Sequence, residues 1–157
     1  MKRALLIPIL LLVAACGSSG GGQSQTSSVP GHGAITFTVV PNPIVATNVG
    51  GDTYEFPFEV VVHETGGMAV NITRVSADVY ALGSVRVANE SYDASRIASL
   101  GYSTAIPANG ELRYQFRPRH AVTDDRLFGG ITAEVRVDAV DSSGTPTSAT
   151  TTVSVRR

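Results

Sequence analysis

The sequence predicts an all-β protein, an antiparallel β-sandwich of seven or eight strands. Three observations carry this expectation. From Ile35 onward, apolar and polar residues alternate with a period of two, which sends successive side chains to opposite faces of a strand. Clusters of Gly, Pro, Asn and Ser interrupt the alternation at short intervals, as turns between strands do. No stretch holds a helical period of useful length. An antiparallel sheet with one packed and one solvated face produces this pattern.

The elements follow in order. In ITFTVV, Ile35, Phe37 and Val39 share a face, and PNP ends the run at Pro41 and Pro43. In YEFPFEVVVHE, Tyr54, Phe56, Phe58, Val60 and Val62 alternate with Glu55, Glu59 and His63. Pro57 has no N–H to give a ladder, so it belongs at an edge or a bulge. After the TGG turn, Val70 and Ile72 share one parity and Val75, Ala77 and Val79 the other. A bulge near Thr73-Arg74 accounts for that slip.

SVRVA, residues 84–88, reads as a short strand, and residues 93–100 as a helical turn or a loop. PANG, residues 107–110, is a tight turn. ELRYQFRPRH places Leu112, Tyr114 and Phe116 inward, with Glu111, Arg113, Gln115 and Arg117 outward. ITAEVRVDAV does the same with Ile131, Ala133, Val135 and Val137. DSSGTPTSA then turns the chain into TTTVSV, the last strand.

Upstream lies a different kind of sequence. Lys2 and Arg3 precede an unbroken apolar run over residues 4–15. A membrane-spanning helix needs roughly 20 apolar residues, so this run has secretory rather than spanning length. It ends in Val13-Ala14-Ala15-Cys16, the only cysteine of the chain. This stretch resembles the lipobox of bacterial lipoproteins. The resemblance implies cleavage before Cys16, a diacylglycerol thioether on its sulfur and a further acyl chain, such as palmitate, on its amine. Two or three chains make release negligible, at about 0.8 kcal/mol per buried methylene. Gly17 stands where an aspartate would, by the enteric sorting rule, favour inner-membrane retention, so the outer membrane is the expected address.

The expected domains are therefore a signal peptide over 1–15, the lipidated cysteine and a Gly/Ser-rich tether over 16–33, and the sandwich over 34–157. The tether proper, residues 17–28, has an average reach of roughly 20 Å as a flexible chain. Loss of Lys2 and Arg3 leaves ten basic groups against thirteen acidic ones, a net charge of −3. That balance argues against nucleic acid as a partner. With Cys16 acylated, no thiol remains for a disulfide, a metal or a nucleophile.

The C-terminal third is similar to bacterial Ig-like domains. ITAEVRVDAVDSSGTPTSATTTVSV resembles their closing hairpin and IPANGELRYQF their preceding strand. The resemblance implies an Ig-like or fibronectin-III-like sandwich, without the Cys and Trp of antibody domains. It implies no particular activity.

Catalytic patterns are missing from the sequence. Over 34–157 there is no G-x-S-x-G elbow, and HETGG lacks the second histidine of a zincin helix. Asp138 and Asp141, at a strand-to-turn junction, are candidate calcium ligands, although Asp and Ser there also serve as turn caps. Arg113, Arg117 and Arg119 form a candidate row for gripping a partner's anionic groups. Interleaved acids make cross-strand charge pairing the stronger reading of that row. The segment 119–130 is a candidate partner loop, with Leu127 and Phe128 as its apolar tips. The functional expectation is a lipid-anchored, extracytoplasmic binding or structural module with a protein or glycan partner and no catalysis. A protease inhibitor or an accessory subunit of an envelope enzyme, acting through that loop, is the alternative.

Overall fold

The computed structural model describes residues 24–82 and 84–157. Cys16, the signal segment and the first part of the tether lie outside the described residues. Over the described residues the chain is an antiparallel β-sandwich with one α-helix, α1 (Ala94–Ser99), six residues long.

One large sheet holds β1 (Gln25–Ser27), β7 (Val70–Ala81), β8 (Val85–Asp93), β12 (Thr132–Asp141) and β13 (Pro146–Arg156), in the order β1-β13-β12-β7-β8. Two short strands extend its edges. β3 (Ile44–Val45) pairs in parallel with β13, and β9 (Ala105–Ile106) pairs with β7. The opposing sheet is β10 (Glu111–Phe116), β6 (Phe58–Glu64) and β2 (Ile35–Val40). A small third sheet joins β4 (Thr47–Gly50), β5 (Thr53–Glu55) and β11 (Arg119–Ala121). Among the described residues seven strands have six or more residues, in line with the strand number read from the alternation.

The core lies between the two larger sheets. Phe37, Val60, Val62 and Tyr114 from one side meet Val75, Val135, Val137 and Val153 from the other, all at most 2% exposed. Aromatic rings bridge the layers, with Tyr92 of β8 centred 4.4 Å from Phe116 of β10. Burial of this aliphatic surface, at about 25 cal/mol per Å² of apolar area, is the main stabilising term.

Local sequence explains the irregularities. Asp138 pairs with Arg74 and Ala139 with Ile72, so Thr73 is the extra residue of a bulge in β7. That bulge lets both apolar parities of β7 face the core. Asp93 caps α1 by accepting the Arg96 amide at 2.8 Å.

Two expectations need correction. The run from Tyr54 to Val62 is not one strand. Pro57 interrupts it, and Phe56 donates instead to the Pro118 carbonyl at 3.0 Å, so β5 and β6 enter different sheets. A proline cannot continue a central ladder, and here it moves the chain from one sheet to another. The tether also ends sooner than its composition suggests. Gln25, Thr26 and Ser27 pair with Thr150, Ala149 and Ser148. Ser24 and Thr26 hydroxyls bind the Phe37 amide and the Ile35 carbonyl, both at 2.8 Å. Unsatisfied edge groups on β2 and β13 recruit this polar segment.

Candidate binding site

The inner face of the large sheet is incompletely covered. Its rows are set by register: Ala88, Val79, Ala133 and Val153 lie side by side across four strands, and Glu90, Ala77, Val135 and Thr151 form the next row. Three alanines on adjacent strands leave space where larger side chains would reach the opposite layer. An apolar pocket of about 220 Å³ results, walled on the far side by Phe56, Phe58, Pro118, Leu127 and the segment after β11. Ala77 and Val79 are accordingly only half-buried although their strand is internal to the sheet.

Polar groups stand at the rim. Glu90, opposite Ala77, projects from the inner face and is the acidic group lining the pocket. His120 Nε2 lies 3.5 Å from its carboxylate and Arg96 Nη1 3.7 Å from it. Arg96 is held in turn by the Ser91 carbonyl at 2.9 Å and by the face of Tyr92 at 4.2 Å. The site thus has an apolar floor and one hydrogen-bonding edge, the usual composition of a small-ligand pocket. Its signal in the sequence was small residues at inward positions. Those line up only once strand register is known.

The residues singled out from sequence have other duties. Arg113 pairs with Glu59 at 2.9 Å and with Glu111 at 2.7 Å, and these bonds raise its pKa. Arg117 and Arg119 both reach Glu55, at 3.5 and 2.9 Å. The row is a set of cross-strand ion pairs, with its charge already matched.

Asp138 and Asp141 do not converge on a cation. They sit three residues apart in one strand, so they project from opposite faces. Asp138 accepts from Arg136 Nε at 2.8 Å. Asp141 closes the β12–β13 turn, taking the Ser143 hydroxyl at 2.6 Å and the Ser143 and Thr145 amides at 2.9 and 2.8 Å. It also accepts the Gly33 amide at 3.1 Å, and His32 Nδ1 lies 3.1 Å away. Both carboxylates are engaged within the chain, Asp141 as the cap of its own turn. Among the described residues no three His, Cys, Asp or Glu side chains gather in a metal-binding group.

Leu127 and Phe128 are corrected too. They lie in a 3-10 turn, Asp125–Gly129, and pack half-buried against the core. Phe128 sits edge-on to Tyr54 with ring centroids 4.9 Å apart. Apolar residues in a short turn beside an uncovered core are drawn inward by burial. The loop offers no exposed apolar tip, which removes the basis for an inhibitory loop.

Sequence reasoning passed over a second cluster. Glu64, 3% exposed, accepts amides from Ala34 (3.2 Å), Gly66 (2.6 Å), Gly67 (2.9 Å) and Asn109 (2.8 Å). Burial pushes its pKa up, but the four backbone bonds outweigh that and hold it below the usual carboxylate value. This cluster knots three loops at one pole.

No protein-family profile matches the chain, and no curated protein does. Solved structures do resemble it. The structural-genomics target SoR45 superposes with a TM-score of 0.55 at 10% identity, over 82% of this chain and 90% of that one. A Bordetella pertussis target provisionally named ApaA gives 0.50 at 14% identity, over 85% and 96%. At these identities the likeness concerns the fold.

Proposed function

We propose that the chain is a non-catalytic binding module of the bacterial cell envelope, with an Ig-like sandwich tied to the membrane through Cys16, and that it holds its partner at the apolar pocket. The observation that carries this reading is the pocket itself: an open apolar floor in a molecule whose conspicuous charged side chains are already paired. Support for the anchor is the order of charge, apolar run, small residues and cysteine at the N-terminus. The partner classes read from sequence, a protein or a glycan, narrow to those that present an apolar group. The outer membrane is the favoured address.

Protease shaving of intact and permeabilised cells, followed by membrane fractionation, tests the anchor and its orientation. The wild type should sediment with membranes and Cys16→Ala should not. Equal fractionation of the two would sink the anchored reading. Digestion in intact cells places the domain outside; protection until permeabilisation places it in the periplasm.

A further inference from the structure

We propose that the pocket takes an uncharged apolar moiety of roughly nine carbons whose hydroxyl stays at the Glu90–His120 rim. The inference rests on the binding-module reading and names the ligand chemistry of the same site. Size sets the first limit. An engineered cavity of about 150 Å³ accepts benzene, so scaling to 220 Å³ gives room for roughly nine carbon atoms. A single ring with a short substituent fits, as does one medium acyl or alkyl chain. A branched lipid or a nucleotide does not.

The floor sets the second limit. Ala77, Ala88 and Ala133 offer methyl groups and no hydrogen-bonding side chain, so a polar group placed there would lose its water without replacement. Head-group chemistry is decided at the rim. Glu90 presents a carboxylate, with His120 and Arg96 as the titratable and charged groups beside it. His120 and Arg96 stand 3.5 Å or more from it, so its oxygens remain able to accept a short bond from a hydroxyl. A carboxylate head would instead meet Glu90, a like charge that lines the pocket, whereas Arg96 is turned to the Ser91 carbonyl and the Tyr92 ring and does not line it.

The test uses the purified full chain and two eight-carbon probes, 1-octanol and octanoate. Alanine-methyl NMR should show saturable shifts at Ala77, Ala88 and Ala133 with 1-octanol, and binding at least ten-fold weaker for octanoate. Ala88→Leu, at the half-buried margin, should abolish the octanol shifts, and Ala77→Leu should do the same from the floor. Thermal unfolding of each variant verifies that it is folded. Glu90→Gln should bring octanoate to within about three-fold of 1-octanol. Absence of saturable shifts with 1-octanol overturns the pocket, and equal binding of both probes by the wild type overturns the rim argument. Failed titration with normal membrane fractionation leaves the anchored module standing. Retained octanol binding with equal fractionation of Cys16→Ala does the reverse.

Discussion

The carboxylate of Glu64 and the backbone amide of Asn109 meet at 2.8 Å, tying the end of β6 to the turn that opens β10. Both oxygens of Glu64 are in use, shared among amides from three separate loops. Glu64→Gln keeps the volume but turns an amide NH2 toward N–H groups that need an acceptor. The expected loss is roughly 3 kcal/mol, from stranded buried donors as well as lost charge-assisted bonds. Chemical denaturation measures it; a change below about 0.5 kcal/mol would show that the knot contributes nothing.

Stability should fall in acid, and the sign follows from two carboxylates. Glu64 sits below its ordinary value of 4.5 because of its backbone bonds. Asp141 lies below 3.8, held there first by the Ser143 hydroxyl and then, against burial, by the Thr145 and Gly33 amides. Depressed carboxylates contribute stability that is complete above their unfolded values and is lost as pH drops through the folded ones. The unfolding free energy should therefore be flat between about pH 7 and 5.5 with respect to these groups and decline below about 4.5. Glu64→Gln should decline less steeply, and identical acid profiles would contradict the assignment.

Close backbone approach at the same pole makes Gly66 irreplaceable. A Cβ there would lie 2.3 Å from the His32 carbonyl oxygen and 2.6 Å from the Ala34 amide, neither of which can swing aside. Gly66→Ala should cost roughly 2–3 kcal/mol. Gly129→Ala, whose Cβ would meet nothing within 4 Å, is the matched control and should stay close to wild type in thermal melting.

Cross-strand charge pairs on the outer face should matter little. Arg113→Ala, Arg117→Ala and Arg119→Ala each remove exposed ion pairs with Glu59, Glu111 or Glu55. Each should lower Tm by less than about 4 °C, and adding salt should shrink the difference further. A loss of octanol binding in any of them would relocate the site.

Much of this fold was legible because period-two alternation survives wherever one face is buried. Ile35, Phe37 and Val39 were readable from it, and so was the parity slip that becomes the Thr73 bulge. Pro57 was read as an edge or bulge residue, yet a proline's missing N–H does not say which sheet the chain joins next. The burial of Glu64 is not in the alternation itself, since it depends on amides brought from residues 34, 67 and 109. Its parity with Val60 and Val62 was the available signal. Ala77 and Ala133 read as ordinary apolar positions of their strands and Ala88 as the end of a short one, and only pairing made them neighbours.

The arrangement of β12 and β13 also governs when the molecule can assemble. β12 lies in the middle of the large sheet, between β7 and β13, yet β12 and β13 follow every other described strand in chain order. β7 cannot complete its ladder, nor β1 and β3 find their edge, until those residues arrive. A chain delivered N-terminus first therefore remains without its central sheet until residues 132–156 have been delivered. Native pairing must then close long loops in one late event, which puts this domain among slow folders of high contact order.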